Sequence, residues 1–160
     1  MGIKIGDKLP QATFMHMGAN GPEPLTSDAL FAGKRVAVFA LPGAFTPTCS
    51  AKHLPGYMEQ ASALSAKGID TIACLSVNDV FVMDAWGRDQ KVGDSIEMLA
   101  DGSCDFTAAV GLELDGSGFG MGRRSQRYAM IVNDGVVEAL HIEEGGEFRV
   151  SAAEYMLEHM

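Results

Sequence analysis

The chain has no excess of positive charge, no long apolar run and no close cysteine pair, and each absence removes a class of function. Its 12 Lys and Arg stand against 21 Asp and Glu, a formal net charge of −9. Phosphate backbones and anionic membranes need a positive field, so neither nucleic acid nor a membrane surface is an expected partner. No stretch approaches the roughly eighteen apolar residues of a membrane helix. The start, MGIKIGDKLPQATF, lacks an apolar signal core, which makes a cytoplasmic address the expectation. The three cysteines, Cys49, Cys74 and Cys104, are odd in number and far apart, unlike a secreted disulfide framework. No Cys or His pair has zinc-finger spacing, so no structural metal is expected. The glycine run Gly116–Gly122 fits neither a dinucleotide fingerprint nor a P-loop, and no cofactor is implied.

What is present is an ordinary globular composition. The 160 residues are 47% hydrophobic, with a mean hydropathy of +0.08, enough for one domain spanning residues 1–160. Arg35–Leu41 predicts a buried strand, followed by the loop 42–48. A helix opens near Cys49 and runs to Lys67, with Pro55 interrupting it after its first turns and Gly68 ending it. Thr71–Val77 is a second strand, and Asn78 or Asp79 caps a helix over about 80–90. Ile96–Ala100 is a third strand and Asp105–Val110 a short helix. Tyr128–Val132, the turn Asn133-Asp-Gly135 and Val136–Leu140 make a hairpin. Ser151-Ala-Ala-Glu154 reads as a capping box for a last helix through His159. This β-α-β-α-β order with a terminal hairpin and helix implies an α/β domain, a mixed central sheet with flanking helices.

The loop and helix start at Pro42-Gly-Ala-Phe-Thr46-Pro-Thr-Cys49 hold the most chemical information. A thiol in the first turn of a helix faces unpaired N–H groups and the positive helix end, which favour thiolate, the nucleophilic form. Thr46, three residues earlier, can bring its hydroxyl beside the sulfur, and Pro42 stiffens the loop and removes one N–H. Position alone leaves two readings of Cys49 level, a reactive thiol or a small buried helix residue. His53, four residues on, raises a Cys–His hydrolase, against the commoner reading of a packing or surface histidine. The methionines, Phe81 and Trp86 are expected in the core.

Pro-x-x-x-Thr-x-x-Cys, met at Pro42, Thr46 and Cys49, is similar to the active-site signature of the peroxiredoxins. PGAFTPTCSAKHLPGY, ACLSVND and RYAMIVNDG resemble the type II, or class-five, subfamily in particular. The resemblance covers nearly the whole chain. It implies a thioredoxin-like fold, reduction of hydrogen peroxide and alkyl hydroperoxides without metal or organic cofactor, and a homodimer. It also implies that the family's arginine is Arg127, a fork-shaped permanent cation suited to a thiolate and to charge developing on peroxide oxygen. Arg123 and Arg124 read as solvated loop charges nearby.

Recycling is where the chain departs from part of the family. The human-type enzyme has a resolving cysteine in the late loop, which here is Gly145-Gly-Glu-Phe-Arg-Val-Ser151 and has none. Plant type II enzymes have a cysteine where Cys74 stands, so Cys74 is either a resolving thiol or an inert core residue. The remaining reductants are glutathione with glutaredoxin, or thioredoxin. Two other functions compete with the peroxidase. A thioredoxin-like disulfide exchanger needs Cys-x-x-Cys, but Thr46 occupies the first position; a non-enzymatic redox sensor would use the same sulfur chemistry.

Overall fold

The computed structural model describes residues 2–160. It begins with a hairpin, β1 (Thr13–Gly18) and β2 (Gly21–Thr26), and a short helix α1 (Ser27–Phe31). β3 (Arg35–Leu41) leads through the loop into a π-helical turn, Cys49–His53, and then α2 (Leu54–Glu59) and α3 (Ala61–Ala66). Next come β4 (Thr71–Ser76), α4 (Val80–Asp89), β5 (Glu97–Ala100) and α5 (Asp105–Ala109). A small hairpin of β6 (Glu113–Asp115) and β7 (Arg123–Ser125) precedes β8 (Tyr128–Asn133), β9 (Val136–Ile142) and α6 (Ala153–Glu158).

Seven strands form one sheet in the order β2-β1-β5-β4-β3-β8-β9. β3, β4 and β5 run parallel at its centre, while β8 lies antiparallel to β3. β3 is apolar at every position after Arg35 because both of its faces are covered. Ala37, Phe39 and Leu41 face a core with Tyr57, Leu64, Met83 and Trp86. Val36, Val38 and Ala40 face the opposite core, with Leu30, Phe31 and Phe106. Cys74 is in register with Phe39, and its side chain lies in the same core as Cys49.

The predicted α/β architecture is present, and several local expectations are corrected. The helix expected over Cys49–Lys67 is three pieces. Its first turn is widened into the π form, with Leu54 N–H bonding to Cys49 O, immediately before Pro55, whose missing N–H and bulky ring disfavour a regular α turn there. It breaks again at Gln60 (φ −96°, ψ 7°). The capping box does not form: α6 starts at Ala153 with no side-chain cap, and the Ser151 hydroxyl donates to Glu143 instead. Phe81 is 64% exposed rather than in the core, whereas Trp86 is fully buried. The hairpins β1–β2 and β6–β7 were not anticipated.

Elsewhere sequence and structure agree. Asp79 is the residue that caps α4, its Oδ1 accepting from Val82 N–H at 2.9 Å. Asn78 turns to the loop 42–48, accepting from Ala44 N–H at 3.0 Å. Asp134 and Gly135 both have positive φ (49° and 81°), the pattern of the two-residue turn that joins β8 to β9. Among the described residues no helix is long and apolar enough to cross a membrane.

Candidate active site around Cys49

The site is assembled from three distant segments at the carboxyl ends of the parallel strands, the usual location in open α/β sheets. β3 delivers the loop 42–48 and Cys49. β4 delivers Asn78, which pins Ala44 and receives the Ser76 hydroxyl at 2.7 Å. β8, paired with β3 so that Tyr128 faces Ala40, places Arg127 beside the loop.

Cys49 is fully buried, and the Arg127 guanidinium reaches it: Nη2 donates to Sγ at 3.1 Å. Nη1 donates to His53 Nδ1 at 2.8 Å. Because arginine stays protonated, Nδ1 must carry the lone pair and Nε2 the proton, which Nε2 donates to Ser151 O at 3.1 Å. Burial, then the charge of Arg127, lowers the His53 pKa to about 3, against the opposing bond to Ser151. His53 is therefore a neutral acceptor that holds Arg127, not a base for Cys49, and the hydrolase reading loses its proton carrier. It is buried as a packing histidine would be, against Phe39 and Phe148, but it has the partner that sequence reasoning did not find.

Thr46 is half-buried in the loop, and its hydroxyl donates to Gly43 O at 2.7 Å rather than to sulfur. With its proton so engaged, the Thr46 oxygen is left as an acceptor. Pro42, also half-buried, offers its carbonyl to Arg124 Nη1 at 3.3 Å. Arg124 thus braces the loop from outside, and Arg123 pairs with Glu113 on the surface. A Cβ on Gly43 would lie 3.0 Å from Arg124 Nη1 and 3.2 Å from Thr46 Cγ2, so any side chain there would make these neighbours shift by a few tenths of an ångström. Phe45 takes a left-handed conformation (φ 64°), a strained state for a bulky residue that the surrounding bonds hold in place. On the far side, Trp86 Nε1 donates to Ser50 Oγ at 3.0 Å and ties the π turn to α4.

All three cysteines are free. Burial, with Cys49 close by, raises the Cys74 thiol well above its usual range. Cys104 begins α5 in a left-handed conformation (φ 65°). A cavity of about 790 Å³ lies elsewhere, between β1 and α4, lined by His16, Met17, Asp84, Arg88 and Glu97 among others.

Residues 4–157 match the Redoxin family model. Peroxiredoxin-2B of Arabidopsis thaliana is 46% identical over 156 residues, covering 97% of this chain and 96% of that one. The chain belongs to the peroxiredoxin family. Peroxiredoxin-2E, chloroplastic, of the same plant is 49% identical, over 97% of this chain and 68% of its own length. The structure of reduced Prx3 in complex with hydrogen peroxide from Vibrio vulnificus is 53% identical, with a TM-score of 0.94 and 98% of each chain covered. This peroxiredoxin is of the type II, class-five branch, has the thioredoxin-like fold, and is a thiol peroxidase.

The buried neutral His53 gives a measurable pH signature. Its folded pKa lies below the ordinary 6.5, so its contribution to stability is complete above pH 6.5 and is lost as pH falls toward about 3. Urea unfolding of the parent and of His53→Gln should give a stability difference that shrinks by about 1.4 kcal/mol per pH unit between those limits. A difference independent of pH would mean that His53 is not held neutral.

Proposed function

We propose that Cys49 is the thiol that reduces the peroxide, with Arg127, Thr46 and Pro42 shaping its reaction. The observation that carries this reading is the 3.1 Å contact from Arg127 Nη2 to Cys49 Sγ. A buried thiolate without a compensating charge is costly; the guanidinium supplies that charge and remains to meet the negative charge of the transition state. The thiolate attacks the terminal oxygen of the hydroperoxide, an S–O bond forms as the O–O bond breaks, and the leaving oxygen takes up a proton as water or alcohol. Cys49 becomes a sulfenic acid. Thr46, whose own proton is engaged by Gly43, accepts the peroxide O–H and orients it. Pro42 stiffens the loop and gives no competing N–H. Hydrogen peroxide and alkyl hydroperoxides are the substrates; the peroxide complex of the Vibrio vulnificus relative supports the first.

An external thiol then reduces the sulfenic acid, forming a mixed disulfide and water, and a second thiol releases Cys49. Glutathione with glutaredoxin is the first choice of reductant and thioredoxin the second. Two features support this route over a Cys49–Cys74 disulfide. The late loop has no cysteine, and the Cys74 thiol is fully buried and held protonated, so it is a poor nucleophile. Three free thiols suit a reducing compartment, and we assign the enzyme to the cytoplasm as a single domain, residues 1–160. We also propose a homodimer. Phe45 and Phe81, 52% and 64% exposed, flank the active-site loop and the start of α4, and Phe119 is 87% exposed in the β6–β7 hairpin; such exposed aromatics suit an interface core.

In a coupled peroxide assay Cys49→Ser should lose turnover and Arg127→Ala should be slowed roughly a hundredfold, about 2.7 kcal/mol of transition-state stabilisation. Near-parental turnover in Cys49→Ser would refute the assignment. For recycling, Cys74→Ser should turn over as the parent does with glutathione and glutaredoxin, and intact mass after one equivalent of peroxide should show a glutathione adduct on Cys49. Loss of turnover with every reductant, together with a Cys49–Cys74 disulfide in the parent, would make this a two-cysteine enzyme.

A further inference from the structure

The segment from Glu143 to Ser151 has no regular secondary structure, yet it carries the tightest group of hydrogen bonds near the site. Glu143 is only 8% exposed. Its Oε2 accepts from Ser151 Oγ at 2.6 Å, Ser151 N–H at 2.8 Å and Arg149 N–H at 2.6 Å. Among the described residues it has no cationic partner, so neutral donors alone compensate a largely buried carboxylate. Such an arrangement is costly to assemble and leaves a strong geometric constraint once made.

That constraint leads to Arg127 by two routes. Glu143 N–H donates directly to Arg127 O at 2.9 Å, fixing the backbone from which the guanidinium extends. On the other side, the Ser151 carbonyl accepts from His53 Nε2 at 3.1 Å and from Tyr57 OH at 2.8 Å. His53 in turn holds Arg127 Nη1 at 2.8 Å. Phe148, from the middle of the same loop, closes over the guanidinium, with its ring centre 6.0 Å from Cζ. An arginine side chain is long and rotamer-rich, and catalytic groups need placement to within about 0.5 Å. Here both ends of the arginine are tied to one residue, the backbone by the Glu143 N–H and the guanidinium to the Glu143 carboxylate through Ser151 and His53.

We propose that Glu143 is a positioning residue which, through Ser151 and His53, fixes Arg127 against Cys49, so that the 143–151 loop sets the reactivity of the active-site sulfur. The proposal rests on the reading of Arg127 as the group that activates Cys49. It differs from a purely structural role in one respect: the effect of Glu143 on the sulfur must pass through the guanidinium.

A double-mutant cycle tests this. Glu143→Gln and Ser151→Ala are each made alone and together with Arg127→Ala, with folding of every variant checked by thermal unfolding. Two rates are read: stopped-flow oxidation by hydrogen peroxide, and the pH profile of Cys49 alkylation by a haloacetamide. Each single variant should be slowed about tenfold toward peroxide, ~1.4 kcal/mol, with its alkylation midpoint moved to higher pH. Once Arg127 is alanine, the same changes should alter the peroxide rate by less than about twofold, the signature of a coupled pair. Equal slowing in both backgrounds, or single variants as fast as the parent, would overturn the proposal. If Glu143→Gln does not fold, Ser151→Ala, which keeps the Ser151 carbonyl and N–H, decides by the same criteria. An Arg127→Ala protein as fast as its parent would overturn the reading of Arg127 itself, a separate and recognisable result.

Discussion

A sulfur atom with no solvent exposure and a guanidinium 3.1 Å away set the terms for the rest of this molecule. Removing a thiolate from water costs several kcal/mol unless charge and hydrogen bonds replace the lost hydration. Arg127 brings a charge and a donor to the Cys49 sulfur, which requires a residue 78 positions further along the chain to be held against the helix start. The sheet does that holding. β8 pairs with β3 over six residues, from Arg35↔Asn133 to Ala40↔Tyr128, so the residue before Tyr128 emerges beside the end of β3, where the active-site loop begins. The β9 return and the loop after it then close around the arginine. A slip of one residue in the β3–β8 register would send alternate side chains to the wrong face and carry Arg127 away from the sulfur.

The parts readable from sequence were those decided locally. The apolar run Arg35–Leu41 and the Asn133-Asp-Gly135 turn follow from short-range rules, and each has the expected structure; Cys49 does follow the loop 42–48, but on a π-helical rather than a regular turn. β2 was missed because Pro22 and Pro24 argue against a strand; they are tolerated because β2 is the edge of the sheet. The capping box failed for a tertiary reason. Ser151 has a local partner available in Glu154, but a buried carboxylate on the preceding loop, Glu143, takes its hydroxyl instead. His53 was judged by its neighbours in sequence, and its partners, Arg127 and Ser151, lie 74 and 98 residues away.

The enclosure of Cys49 bears on the recycling step we propose. The Cys49 sulfur lies within a packed core containing Cys74, Phe39 and Tyr57, with Trp86 and Ser50 tying its turn to α4. A Cys49–Cys74 disulfide would have to form inside this packing, which is why we propose a soluble thiol as the reductant. The π-helical turn Cys49–His53 is the irregular element on which the sulfur sits.

The central claim is that peroxide oxidises Cys49 and no other sulfur in the first turnover. The most direct measurement is to react the reduced protein with less than one equivalent of hydrogen peroxide, denature it at once in a sulfenic-acid-selective 1,3-diketone, and map the adduct by peptide mass. The account predicts the label on Cys49, formed within the dead time of manual mixing in the parent and roughly a hundredfold more slowly in Arg127→Ala. A label on Cys74 or Cys104 with Cys49 still alkylatable as a free thiol would contradict it.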